Sequence, residues 1–240
     1  MVWANLRGID GMRNGWVIAL SLVGAALLFA SASSFAKEFR VGEDLSNKEM
    51  DHFFHKRSGN GSIDVPSFPS SIRVAVTAND PRAFTADDLI KEIFNDAGVE
   101  YLADVSTTPP YLRVIFADNA IENGKIQFDR IPATVFSSTI AVILSDAART
   151  TLHGHDCAPA AIRIPSGELY GAIIVIDKNV SDNGVQDCVL HGVAASLGIE
   201  LRDLDANSSL AETKKFLHEL INRKKSCLKE NVSDAACFTD

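Results

Sequence analysis

The amino-acid sequence predicts an α+β fold, a single domain in which a mixed β-sheet is packed by helices. Three observations carry that expectation. Segments with strand periodicity and segments with helix periodicity follow one another along the chain after residue 70. Two apolar runs, "AAIRI" and "LYGAIIVID", flank the turn-forming "PSGE" and read as a hairpin. No internal repeat is present, and 240 residues less an N-terminal leader suit one domain of the usual ~100–200 residues.

The elements follow in order. In "SIRVAVTA" (71–78), Ile72, Val74 and Val76 alternate with Arg73, Ala75 and Thr77, the pattern of a half-buried strand. "TADDLIKEIFNDAGVEY" predicts a helix with Thr85 as N-cap, one apolar face of Leu89, Ile90, Ile93 and Phe94, and Gly98 as its stop. "LRVIFA" (112–117) and "STIAVILS" (138–145) read as strands, and the hairpin strands are 160–164 and 169–177. Two helices close the chain, one around 185–197 and one from Ser208. Ahead of the first strand, "RSGNGSIDVPSFPS" (57–70) has the composition of a linker or long loop. The aromatic knot "DHFFH" (51–55) either docks this extension onto the domain through His52, Phe53, Phe54 and His55 or meets a partner.

The first 36 residues belong to targeting rather than to the fold. Arg7 and Arg13 precede an uncharged apolar stretch from Trp16 to Ala30, followed by small residues in "SASSFA". That order predicts a secretory signal peptide, cut after Ala36, with Ala30 and Ala32 offering a second small-x-small site. Left uncut, the stretch would be an N-terminal anchor, although it is short for a span of ~20 residues. Removing residues 1–36 takes out Arg7, Arg13 and Asp10, which leaves 21 basic and 30 acidic side chains, a net charge of −9 over 204 residues. Such a balance opposes binding to phosphate backbones and to anionic lipid surfaces. Nucleic acid is excluded as a partner, and so is a membrane beyond that anchor.

The cysteines Cys157, Cys188, Cys227 and Cys237 all lie in the C-terminal half. An even count in an exported chain predicts disulfides. Of the three pairings, the short loop between Cys227 and Cys237 favours pairing these two, leaving Cys157 with Cys188. No Cys-x-x-Cys spacing supports a zinc cluster instead.

One segment comes close to a known chemistry. "CVLHGVAASLGIE" (188–200) has the cadence of a zinc-protease helix, in which two histidines at i and i+4 grip the metal and the glutamate between them activates a water. His191 takes the first ligand position and Gly198 the turn of the longer metzincin form. Gly192 stands where the general base belongs, Ala195 at the second ligand and Leu201 at the third. One ligand of three remains, and no base, so the standard mechanism is lost. A plain packing helix explains the same residues: Val189, Leu190, Val193, Ala194 and Leu197 are apolar, and Gly192, Ala195 and Ser196 are small enough to approach a sheet. Gly198 would end the helix in a left-handed turn, and His191 could pair with Asp187 at i, i+4. Ser196 in "AASLG" is not a nucleophile elbow, since it falls late in a helix. "SGNGS" lacks the strand and helix that a phosphate cradle needs.

A metal site of another kind follows from the expected bridge. "TLHGHDC" puts His153 and His155 just ahead of Cys157, and His191 lies less than one helical turn beyond Cys188. A Cys157–Cys188 disulfide would bring the three imidazoles together beside Asp156 and Asp187. The bland alternative is a polar loop that happens to hold two histidines.

These residues also carry a family resemblance. From about Ser71 to Asp205 the chain resembles the uncharacterised exported proteobacterial proteins of the domain-of-unknown-function family 2927. The likeness rests on "IRVAVTA", "LIKEIFNDAGVEY", "YLRVIFA", Cys157, Cys188 and above all "CVLHGVAASLGIELRD". It implies a zincin-like fold and an exported compartment. Members commonly carry acidic residues just after the histidine position, where this chain has Gly192 and Val193.

The expected organisation is a signal peptide (1–36), an extension and linker (37–70), the family-like domain (71–205) and a C-terminal helix with a disulfide tail (206–240). The expected function is that of a periplasmic or secreted, non-catalytic domain without a cofactor, built on a degenerate metalloprotease-like scaffold and binding a peptide or an envelope protein. In zincin-like folds the edge strand beside the helix receives extended peptides, and "LYGAIIVID" is the expected edge strand. The rival function is an atypical metal-dependent hydrolase with zinc held by His191, His153 and His155.

Overall fold

The computed structural model describes residues 53–54, 68–106, 108–131, 157–201, 204 and 208–229, with side chains as far as 227. All of these lie in the unit Lys37–Asp240. Their elements run β1 (Ser71–Val76), α1 (Ala83–Ala97), β2 (Glu100–Ala103), β3 (Tyr111–Ala117), β4 (Ile121–Glu122), β5 (Lys125–Ile126), a 3₁₀ turn (Phe128–Arg130), β6 (Cys157–Arg163), β7 (Leu169–Asp177), α2 (Asp182–Ser196) and α3 (Leu210–Lys229). Five strands form one mixed sheet in the order β2-β1-β3-β7-β6. The first four are parallel, and β6 runs antiparallel to β7 at the edge. The expected α+β fold with a mixed sheet is therefore present. The strand expected at 138–145, the leader and most of the linker lie outside the described residues.

The strand pleat divides the sheet's side chains between two layers. Ile72 and Val74 of β1, Leu112, Val114 and Phe116 of β3, and Ala172, Ile174 and Ile176 of β7 share one face and one apolar cluster with all three helices. Here α1 lies over β1 and β2, α2 over β6 and β7, and α3 packs on both helices. The opposite face presents Tyr111, Ile115, Ile173 and Val175 to a second cluster with Ile121 and Ile126 of the β4–β5 hairpin. That hairpin turns through Asn123 and Gly124, both at positive φ, the geometry that Asn-Gly supplies with least strain. It is fixed to the sheet by the Ile121 N–H, which donates to the buried Asp177 carboxylate at 3.2 Å.

Two expectations about element ends need correction. Thr85 does not cap α1, which begins at Ala83, two residues earlier. The start is organised instead by Asp80, whose carbonyl accepts from Ala83 N–H and whose carboxylate accepts from Arg82 N–H. More consequentially, "LYGAIIVID" is not an edge strand. β7 pairs with β3 on one side and β6 on the other, with Ala172 to Ile176 buried throughout. The edge strand beside α2 is β6, whose Pro159 lacks the N–H that a central strand needs.

Other features agree with the pattern reading. Gly98 and Gly198 end α1 and α2 in left-handed geometry. α3 starts with a reciprocal cap. The Glu212 carboxylate accepts from Ser209 N–H at 2.8 Å, and the Ser209 hydroxyl accepts from Glu212 N–H at 3.3 Å. Phe53 and Phe54 are buried: Phe54 bridges to Ile199, Phe53 O accepts from Glu200 N–H, and the Phe53 ring meets Phe216 edge-on at 4.9 Å. The aromatic knot thus docks on the chain just beyond α2. His52 and His55 lie outside the described residues.

Candidate functional site

Helix α2 carries most of "CVLHGVAASLGIE", and its placement follows from three local devices. Ser181, extended at φ −65° and ψ 161°, caps the first turn by accepting from Gly184 N–H at 3.2 Å. Cys188, in the middle, is bridged to Cys157 at the start of β6, with the two Cα atoms 6.1 Å apart. This is the pairing the sequence favours, and it fits an oxidising compartment. Cys227 is disulfide-bonded as well, and Cys237 lies outside the described residues.

The third device is a pair of cations at the helix C-terminus. Arg163, at the end of β6, donates from Nη2 to the carbonyls of Ala195 at 2.9 Å and Ser196 at 2.8 Å, and from Nη1 to Gly167 at 3.1 Å. Lys224 of α3, 1% exposed, donates to the Leu197 carbonyl at 2.9 Å and lies 4.3 Å from the centre of the Phe68 ring. These carbonyls end a helix without partners in the next turn, and the negative end of the helix dipole favours positive charge there. Burial pushes the Arg163 guanidinium down to about 10, with Glu200 acting in the opposite direction. It remains a cation at neutral pH.

Position by position, this helix cannot be a standard zinc-protease helix. Gly192 faces the sheet, and a Cβ there would overlap Cγ1 and Cδ1 of Ile174. The general-base position therefore points into packed side chains, with no room for a carboxylate. Ala195, at the second ligand position, is half-buried, and its carbonyl is held by Arg163. Leu201, at the third, is a core residue at 2% exposure. Ser196 is buried and donates its hydroxyl back to the Val193 carbonyl at 2.7 Å, so it is no nucleophile. The residues at the base, second-ligand and third-ligand positions of a zinc-protease helix thus do not fit a zinc ion here.

His191 does share a stripe with Asp187 and Ala195, all half-buried. Its Nε2 lies 3.9 Å from Asp187 Oδ1, an i, i+4 approach too long for a hydrogen bond. Among the described residues no group of three or more His, Cys, Asp or Glu side chains is placed to hold a metal ion. His153, His155 and Asp156 lie outside those residues, so the three-imidazole set is not part of the described geometry.

Sequence reasoning missed Arg163 and also a second clamp. Arg82 grips Asp80 with two nitrogens, Nε and Nη2, each at 2.8 Å. Its Nη2 also donates to the Lys178 carbonyl at 2.9 Å, and Nη1 donates to the Val180 carbonyl. The Arg82 side-chain bond holds the Asp80 carboxyl below the usual aspartate range, and Asp80 raises the guanidinium in turn. This clamp ties the chain after β1 to the chain after β7, at the carboxyl ends of the parallel strands, where open sheets often bind ligands. A 400 Å³ groove between α1 and α3 is likewise spanned by its own polar pairs, the Lys214–Glu92 ion pair at 2.7 Å and the His218–Asp96 contact at 3.2 Å. Among the described residues, no helix is long and apolar enough to cross a membrane. No family model, curated protein or solved structure matches the chain.

Proposed function

We propose that this is an exported, non-catalytic binding protein built on a degenerate metalloprotease-like scaffold, with an extended segment of a peptide or envelope protein as its ligand. The observation that carries the reading is Gly192, the general-base position, pressed against Ile174. A helix whose catalytic edge has become a packing surface keeps the scaffold and gives up the reaction. The mixed sheet, with α2 lying on β6 and β7, suits the zincin-like assignment. On that assignment the ligand strand pairs along β6, the edge beside α2, by main-chain hydrogen bonds. Ala161 to Arg163, the half-buried end of β6, is the stretch best placed to receive it.

The rival reading is a metal-dependent hydrolase using His191 with His153 and His155. One observation favours it: the Cys157–Cys188 bridge brings the chain that follows His155 against α2, three residues before His191. A single experiment separates the two. Protein purified without a histidine tag is assayed for bound zinc and for peptide hydrolysis with and without chelator. In parallel, hydrogen exchange is followed as a mixture of unstructured peptides is added. The binding reading expects no chelator-sensitive turnover and new protection in β6. Chelator-sensitive turnover that is lost in His191→Ala overturns it.

A further inference from the structure

The sheet face turned away from the helices holds two buried polar side-chain atoms with no hydrogen-bond partner, Tyr111 Oη and Arg113 Nε. They are the two such atoms among the described residues. Both belong to β3, two positions apart, so both side chains leave the same face, about 7 Å apart along the strand. Native structures pair nearly all their buried polar groups, and an exception calls for a cause.

The surroundings define what the cause can be. Tyr111 is 1% exposed, and its ring lies over Gly171 of β7, where a Cβ would sit 2.5 Å from Cζ. Tyr170 meets it edge-on, with ring centres 6.4 Å apart. Burial and the neighbouring Tyr170 push the Tyr111 phenol up to about 12, against the pull of Arg113, so at neutral pH it keeps its proton and can donate. Arg113 donates from Nη2 to the Val105 carbonyl, and among the described residues it has no carboxylate partner. Its neighbour in charge, Arg73, lies opposite Tyr111 in the sheet register but is already neutralised by Asp104 at 3.2 Å. The positive charge left over is therefore that of Arg113. Opposite Arg113 in the register stands Ala75, small and half-buried. One phenol O–H, one guanidinium N–H and one uncompensated positive charge ask for an acceptor that is negative. A cation is repelled by the guanidinium, and a neutral carbonyl would leave the charge unmet.

We propose that Tyr111 and Arg113 form a binding site for a small oxyanion, a carboxylate or a phosphate. The site lies on the sheet face opposite the helices, and its two ligating side chains belong to β3 rather than to α2 or β6. Its ligand is held by the Tyr111 hydroxyl and by Nε–H of Arg113.

The test uses the full chain, titrated with acetate and, separately, with inorganic phosphate at constant ionic strength against chloride. The Arg113 Nε–H resonance and the melting temperature are followed. Saturable shifts of both are expected with at least one anion, and the anion that binds tells a carboxylate ligand from a phosphate one. Tyr111→Phe and Arg113→Gln should each weaken binding tenfold or more. A structural role makes a different forecast for the same phenylalanine variant. Removing a hydroxyl that has no acceptor leaves the melting temperature in chloride unchanged or raised, whereas removing one satisfied by water lowers it. The proposal is overturned by the absence of saturable binding of either anion below about 10 mM, by unchanged affinity in Tyr111→Phe, or by a lowered melting temperature of that variant in chloride. Should Arg113→Gln fail to fold, the phenylalanine variant decides alone.

Discussion

On the helix side of the sheet, Ile72, Val74, Leu112, Val114, Phe116, Ala172 and Ile174 meet a continuous apolar layer of three helices, and the polar groups that reach it are paired. Arg163 and Lys224 hold the last carbonyls of α2, and Ser196 bonds within its own helix. On the other side the cluster is smaller, and Tyr111 and Arg113 keep buried donors without acceptors. The histidine-bearing helix, which attracts attention in the sequence, thus belongs to the finished side, where no buried polar side-chain atom of the described residues lacks a partner. The unfinished side carries no motif. A protein that breaks the rules of polar pairing in one place and obeys them in the other is best probed for binding where it breaks them.

That contrast can be tested by substitution. The largest effect is expected from Gly192→Glu, which restores the general base of a zinc-protease helix. The carboxylate would be driven into Ile174, so a loss of about 4 kcal/mol in denaturant unfolding is expected, with no gain of peptidase activity. A stable, active variant would mean that the helix face is as adaptable as the other. Arg163→Gln should cost less, about 2 kcal/mol, because it leaves two carbonyls of α2 short of a donor without opening the apolar layer. Chemical denaturation reads this directly, and an unchanged midpoint would remove Arg163 from the account of the helix end. The smallest effect is expected from Gly171→Ala. It displaces the Tyr111 ring at a cost of about 1 kcal/mol, since the strand gains some rigidity in exchange. Its signature is the opposite of the first variant's: a modest change in stability together with loss of any oxyanion binding.

Much of this fold was legible in the chain. Alternation gave β1, the apolar face of Leu89, Ile90, Ile93 and Phe94 gave α1, and the two apolar runs around "PSGE" gave the β6–β7 hairpin, while β3, α2 and α3 were read as a strand and two helices. Other features were present as signals and passed over. Asn123-Gly124 between Ile121-Glu122 and Lys125-Ile126 is a strong hairpin marker, and it does form the β4–β5 turn. The unbroken apolar run from Ala172 to Ile176 marks a strand buried on both faces, which is incompatible with an edge. β2 was hidden because Val99, Tyr101 and Leu102 continue the apolar content of the preceding helix after Gly98. The roles of Arg163 and Arg113 had no local signal. One depends on where α2 ends in space, the other on the absence of a neighbour, and neither is written in spacing along the chain. Of the expected site, the placement of Gly192, Ala195 and Leu201 is in the structure, while His153 and His155 fall outside the described residues.

The sheet order has a consequence for how the chain must be made. The pairing at the centre of the sheet joins residues 60 positions apart, Tyr111 to Gly171. A chain growing from its N-terminus finishes β1, β2 and β3 well before β7 exists, and until then the apolar edge of β3 stands open. Such distant parallel pairings are slow to form, and open edges invite other chains to pair in their place. Any fragment that stops short of Leu169 would therefore be an aggregation-prone half-sheet rather than a smaller domain, and α2 would have nothing to dock on. During synthesis the protein has reason to be kept unfolded, or shielded, until its last third has emerged.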